Sequence, residues 1–96
     1  MYVVSLTYIA PLEQLDAAAV EHIAFLDRHY ATGTFLASGR KVPRTGGVIL
    51  ARSESEEALR AILAEDPFWV KKLATYDIQQ FAATKAQKGL EGLLDR

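Results

Sequence analysis

The chain contains no cysteine. That excludes a disulfide framework, a thiolate nucleophile and paired-cysteine metal sites. Histidine is scarce as well, with two in 96 residues, and there is one tryptophan and one methionine. Charge of either sign is not in excess: 11 Lys and Arg stand against 12 Asp and Glu. A chain without a basic field has no general hold on nucleic acid or on an anionic membrane, so neither is expected as a partner. No apolar run approaches the ~20 residues that span a bilayer. The opening Met1-Tyr2-Val3-Val4-Ser5-Leu6 has no basic n-region, so it does not read as a secretory signal. Together with the missing cysteine, this gives the expectation of a reducing cytoplasm.

What is present is the composition of a globular domain, with 50% hydrophobic and 24% charged residues. A domain of this size buries only ~60–65% of the surface its unfolded chain exposes. Its core is thin, and a second copy is the expected partner.

Tyr2 to Ile9 is rich in β-branched and aromatic residues and reads as a strand. Asp16 is a candidate N-cap for a helix over Ala17–Thr32, with apolar positions Val20, Ile23, Ala24 and Tyr30 and a C-terminal glycine, Gly33. Thr34–Ser38 reads as the second strand, Gly39–Gly46 as a loop and Gly47–Arg52 as the third strand. Ser53 and Glu56 form an S-x-x-E capping box before a second helix striped by Ala58, Leu59, Ile62 and Leu63. Pro67 ends that helix. A turn through Phe68–Leu73 leads to a fourth strand over Thr75–Phe81, and Ala83–Arg96 is a tail or a loosely held helix.

The order β-α-β-β-α-β is the ferredoxin-like, split βαβ arrangement: α+β, a four-stranded antiparallel sheet, both helices on one face. The other face is bare, and a homodimer through the sheet face, a dimeric α+β barrel-type assembly, would cover it. The domain is expected to span residues 1–82, with 83–96 outside it.

Two residues carry the chemistry. His22 lies on the first helix between Val20, Ile23, Phe25 and Leu26. It reads either as a core-edge histidine bonded to backbone or as a general acid/base, since imidazole titrates near working pH. Asp66 precedes Pro67 and reads either as a helix stop or as the carboxylate that orients an imidazole. His29, seven residues and ~10.5 Å of helix rise from His22, cannot share a metal with it and reads as a solvated last-turn residue. No metal site and no cofactor are expected.

Ser38, Gly39 and Arg40 open a basic stretch through Lys41, Val42, Pro43 and Arg44. It is either a solubilising hairpin or a receiver for a substrate carboxylate or phenolate. Tyr8, Phe68 and Trp69 either wall an apolar pocket or make core and dimer contacts. Gly46-Gly47 lacks the Lys-Ser/Thr of a phosphate loop, and there is no nucleophile elbow.

These pieces, in this order and spacing, resemble the YciI-like (YCII-related) family. The carriers are Tyr2–Ile9, His22 within Glu21–Leu26, Gly33–Gly39, Gly46–Ile49, Ser53–Ala58 and Asp66-Pro67-Phe68. The resemblance implies a ferredoxin-like fold that dimerises through its sheet and an active site on a His–Asp couple, which maps to His22 and Asp66. It also implies lyase-type chemistry, such as chloride removal from a chlorinated hydroxylated aromatic. The basic stretch Arg40–Arg44 departs from the family's Gly-Pro-type continuation. The expected function is a small dimeric enzyme using the His–Asp couple for elimination or isomerisation on a small cyclic or aromatic molecule, lyase-like and without a cofactor. The alternative is a non-catalytic dimeric small-molecule-binding or accessory protein. A cofactor-free oxygenase rests on fold analogy alone.

Overall fold

The computed structural model describes residues 1–95. Strand β1 (Tyr2–Tyr8) leads into helix α1 (Leu12–Ala17) and helix α2 (Ala19–Ala31). Strands β2 (Phe35–Arg40) and β3 (Gly46–Ala51) follow as a hairpin. Helix α3 (Glu56–Leu63), the single turn α4 (Pro67–Val70) and strand β4 (Ala74–Gln80) complete the domain. All strand pairings are antiparallel, in the order β2-β3-β1-β4. This is the expected ferredoxin-like α+β fold.

The alternation along β1 explains where the core sits. Tyr2, Val4 and Leu6 are buried on one face of the sheet, with Ile49 and Ala51 opposite them on β3. The helices lay Leu15, Phe25, Leu59, Leu63 and Phe68 against that face in one cluster. Val3, Ser5, Val48 and Leu50 point the other way and are only half-buried, because residues i and i+2 share a face of a strand.

Several boundaries differ from the sequence reading. Asp16 does not cap a helix: it lies inside α1, and the chain breaks at Ala18 (φ −98°, ψ 0°) before α2 begins. The buried side of α2 is not the Val20–Ile23–Tyr30 stripe. Val20 is 81% exposed and Ile23 55%, whereas Phe25 is fully buried. His29 is not solvated; its side chain is 13% exposed, lies against Phe25 and Phe35, and Nε2 meets Glu65 Oε1 at 3.0 Å. The cap of α3 is Ser55, whose hydroxyl accepts from Ala58 N, rather than Ser53. Gly39 and Arg40 belong to β2, leaving Lys41–Thr45 as the hairpin loop.

Gly33, with φ of +79°, follows α2 as a C-terminal glycine should. Residues 83–95 carry no α-helix, only a 3₁₀ turn at Glu91–Leu93. The tail is fixed at the end of the sheet where β1 starts. There Asp95 takes the Met1 ammonium at 3.0 Å, Ala83 N at 2.7 Å and Arg52 at 3.2 Å.

Candidate functional site

Asp66 is fully buried. Its place follows from local sequence: extended backbone (φ −64°, ψ 128°) before Pro67 makes it the N-cap of α4, with the proline in the first helical turn. Oδ1 accepts the capping bond from Phe68 N at 3.0 Å. The same oxygen meets His22 Nδ1 at 2.8 Å, which brings α2 to the α3–α4 junction within one chain. Oδ2 accepts from the Tyr76 hydroxyl at 2.5 Å. The helix-stop and imidazole-partner readings of Asp66 are therefore both present in the geometry. A buried carboxylate is costly unless hydrogen-bonded, and here three donors meet it.

Tyr76 escaped the sequence reading. Its signal was weak: a tyrosine at an inward position of β4, in register with Leu6 of β1. Burial first, then the adjacent Asp66 charge, push its phenol far above the ordinary tyrosine value, so it stays a protonated donor.

The imidazole is held on its face as well as its edge. His22 stacks on Phe68 with ring centroids 4.0 Å apart and planes 8° from parallel. Tyr8 meets Phe68 edge-on at 6.1 Å. With Nδ1 donating to the carboxylate, Nε2 is the nitrogen left to accept or release a proton. Among the described residues no buried side-chain nitrogen or oxygen lacks a partner. The unpartnered Nε2 is thus open to whatever enters from outside.

That space is a cavity of about 340 Å³ between α2 and the sheet, at the small end of the range for ligand pockets. Of the residues expected to bind substrate, Tyr8, Ser38, Gly39, Arg40 and Phe68 line it beside His22. Trp69 does not. It lies by Tyr76, with centroids 4.9 Å apart, and faces a shallower groove with Ile9 and Lys72. Adjacent residues on a helical turn point about 100° apart, so Phe68 and Trp69 cannot form one wall. Ser38 Oγ shares a 2.5 Å hydrogen bond with the Tyr30 hydroxyl. Arg44, also on the cavity, donates to Asp16 Oδ1 at 2.5 Å, tying the hairpin loop to α1. The Asp16 hydrogen bond holds the guanidinium above its ordinary pKa. None of the lining residues comes from the tail.

Among the described residues no group of three or more His, Asp or Glu comes together as metal ligands, and no helix is long and apolar enough to cross a membrane.

Among curated proteins, none matches the sequence. Among solved structures, the fold is similar to that of a 5-chloro-2-hydroxyhydroquinone dehydrochlorinase from Burkholderia phenoliruptrix, in complex with 2,5-dihydroxybenzoquinone. The TM-score is 0.72 at 17% sequence identity, over 86% of this chain and 95% of that one. The family model for the YCII-related domain matches residues 1–82, and the chain belongs to that family.

Proposed function

We propose that this protein is a small homodimeric enzyme that moves a proton on a small cyclic or aromatic molecule, in an elimination or isomerisation. One observation carries the reading: His22 Nδ1 lies 2.8 Å from the buried Asp66 carboxylate while the ring lines an apolar cavity. Asp66 fixes the tautomer and stabilises the imidazolium that forms, and Nε2 exchanges the proton with substrate. In an elimination from the keto form of a hydroxylated ring, Nε2 takes a hydroxyl or sp³ ring proton, the electron pair left behind forms the new double bond, and the leaving group departs with the electron pair of its own bond. Neither that step nor an isomerisation calls for a redox group. The ring of Phe68 beneath the imidazole supplies an apolar floor. The fold neighbour's activity, dehydrochlorination of a hydroxylated ring, is chemistry of this class and supports the choice of elimination.

The homodimer forms through the open face of the sheet. Val3, Val48 and Leu50 are only half-covered there, and a second copy laid on them buries an apolar patch that a thin core needs.

The test is turnover of 5-chloro-2-hydroxyhydroquinone and related halogenated hydroxyaromatics, with and without a ring carboxylate, followed by chloride release. The wild type converts at least one member of the set. His22→Asn abolishes conversion and Asp66→Asn lowers it by about 10²-fold or more, both with the fold intact by circular dichroism. A fully active His22→Asn protein overturns the reading. Ligands that bind without conversion return the protein to the binding-module alternative.

A further inference from the structure

The cavity is charged on one side only. Its charged lining is Arg40 and Arg44; no Asp or Glu lines it, and Asp66 lies behind the His22 imidazole, fully buried. The two arginines are not equivalent. Arg44 is already engaged by Asp16. Among the described residues no carboxylate pairs with Arg40. It is exposed at the cavity, so a full positive charge faces the ligand space without a counter-ion.

The strand geometry adds a second donor. Ser38 and Arg40 alternate along β2 and lie opposite Ile49 and Gly47 of β3. They therefore share the cavity-facing side of the sheet. A Cβ at Gly47 would stand 3.1 Å from the Gly39 carbonyl oxygen, so glycine lets β2 and β3 approach closely beside Arg40. The Tyr30 hydroxyl fixes the position of Ser38 Oγ. The remaining walls, including Leu15, Ile23 and Phe68, are apolar apart from the Tyr8 phenol. A guanidinium fork matches two oxygens of one planar anion, and a hydroxyl beside it suits a third contact.

We infer that the ligand of this cavity is a small cyclic carboxylate. Its carboxylate seats on Arg40 and Ser38, and its ring lies against the apolar wall, with the edge of the His22 imidazole also on the cavity. The inference rests on the proposed site, deepening it by naming the substrate class and the residue that selects it. Arg40 is a specificity residue, on the sheet side of the same cavity that His22 lines from α2.

The experiment is a nuclear magnetic resonance titration of the full chain with benzoate and with its neutral isostere benzamide, at neutral pH and low salt. Benzoate is expected to shift the signals of His22 and Phe68 and to bind at least about tenfold more tightly than benzamide. The preference shrinks as salt screens the charge. Arg40→Met and Arg40→Gln both remove it, and Arg44→Met keeps it. Equal binding of the two ligands, no benzoate binding at millimolar concentration, or a preference that survives both Arg40 variants overturns the inference. So does a preference lost in Arg44→Met but kept in Arg40→Met. His22→Asn separates the two proposals: it retains the benzoate preference if Arg40 selects the ligand, even where no turnover is found for any substrate.

Discussion

Tyr76 and Asp66, ten residues apart, are joined by a 2.5 Å hydrogen bond from the phenol to Oδ2. The bond crosses from β4 to the cap of α4, and it fills the carboxylate oxygen that His22 and Phe68 N leave free. The carboxylate is thereby held from the sheet as well as from its own turn, and His22 inherits that rigidity.

Tyr76→Phe is expected to keep the fold and to lower stability by about 1.5–3 kcal/mol, the range for a hydrogen bond to a charged group. It is also expected to loosen the His22–Asp66 geometry. Urea unfolding gives the first quantity, and the chemical shift of the His22 Nδ1 proton gives the second. An unchanged unfolding midpoint together with an unchanged proton shift would show that the phenol does not position the carboxylate.

Gly46→Ala is expected to be among the most damaging substitutions in the chain. A Cβ at this residue would stand 1.8 Å from the Leu6 carbonyl oxygen and 2.8 Å from the Leu6 carbon, both backbone atoms that cannot swing away. Separation of β1 and β3 breaks the ladder on which the cavity rests. The expected cost exceeds about 3 kcal/mol, the upper part of the range for single substitutions. A thermal melt within a few degrees of wild type would refute it. Gly39→Ala, where a Cβ meets nothing within 4 Å, is the matched control.

The tail responds to acid. Asp95 is held below the ordinary carboxylate value, first by the Ala83 amide and then by the Met1 ammonium. Its folded-state pKa is depressed, so its contribution to holding the tail is fully present above the unfolded value of about 4. That contribution is lost as pH falls through the lower folded-state value. Asp95→Asn is expected to release the tail at neutral pH, with faster amide hydrogen exchange at Ala83 and no change in the cavity. Equal protection of Ala83 in the two proteins would contradict this.

Much of the arrangement was legible along the chain. The alternation Tyr2, Val4, Leu6 marks a strand with one buried face, Gly33 marks the end of the first helical region, and Asp66-Pro67 marks a turn. All three patterns are local, because strand pleat, left-handed backbone and proline sterics act within a few residues. The misread stripe on α2 shows where such reasoning stops. Val20, Ile23 and Tyr30 have helical spacing and yet none is buried: Val20 is open to solvent, Ile23 lies on the cavity and Tyr30 reaches Ser38, while the two histidines pack beside Phe25. Periodicity counts apolar residues and has no means of recognising a histidine held inside by a carboxylate from another element. Trp69 failed for a related reason: neighbouring Phe68 in sequence, it is turned to a different groove by one step of a helical turn.

The sequence by itself determined the order of elements, the turn at Asp66 and the presence of one histidine and one carboxylate suited to work together, since these depend on short-range sterics and residue chemistry. Only the tertiary structure decided that His22, Asp66 and Tyr76, separated by 44 and 10 residues, meet. It also decided that Arg44 is paired with Asp16, while among the described residues no carboxylate pairs with Arg40. Those pairings are set by how α1, α2 and α4 pack against the sheet and its β2–β3 loop, and packing across that distance leaves no mark in any local run of residues.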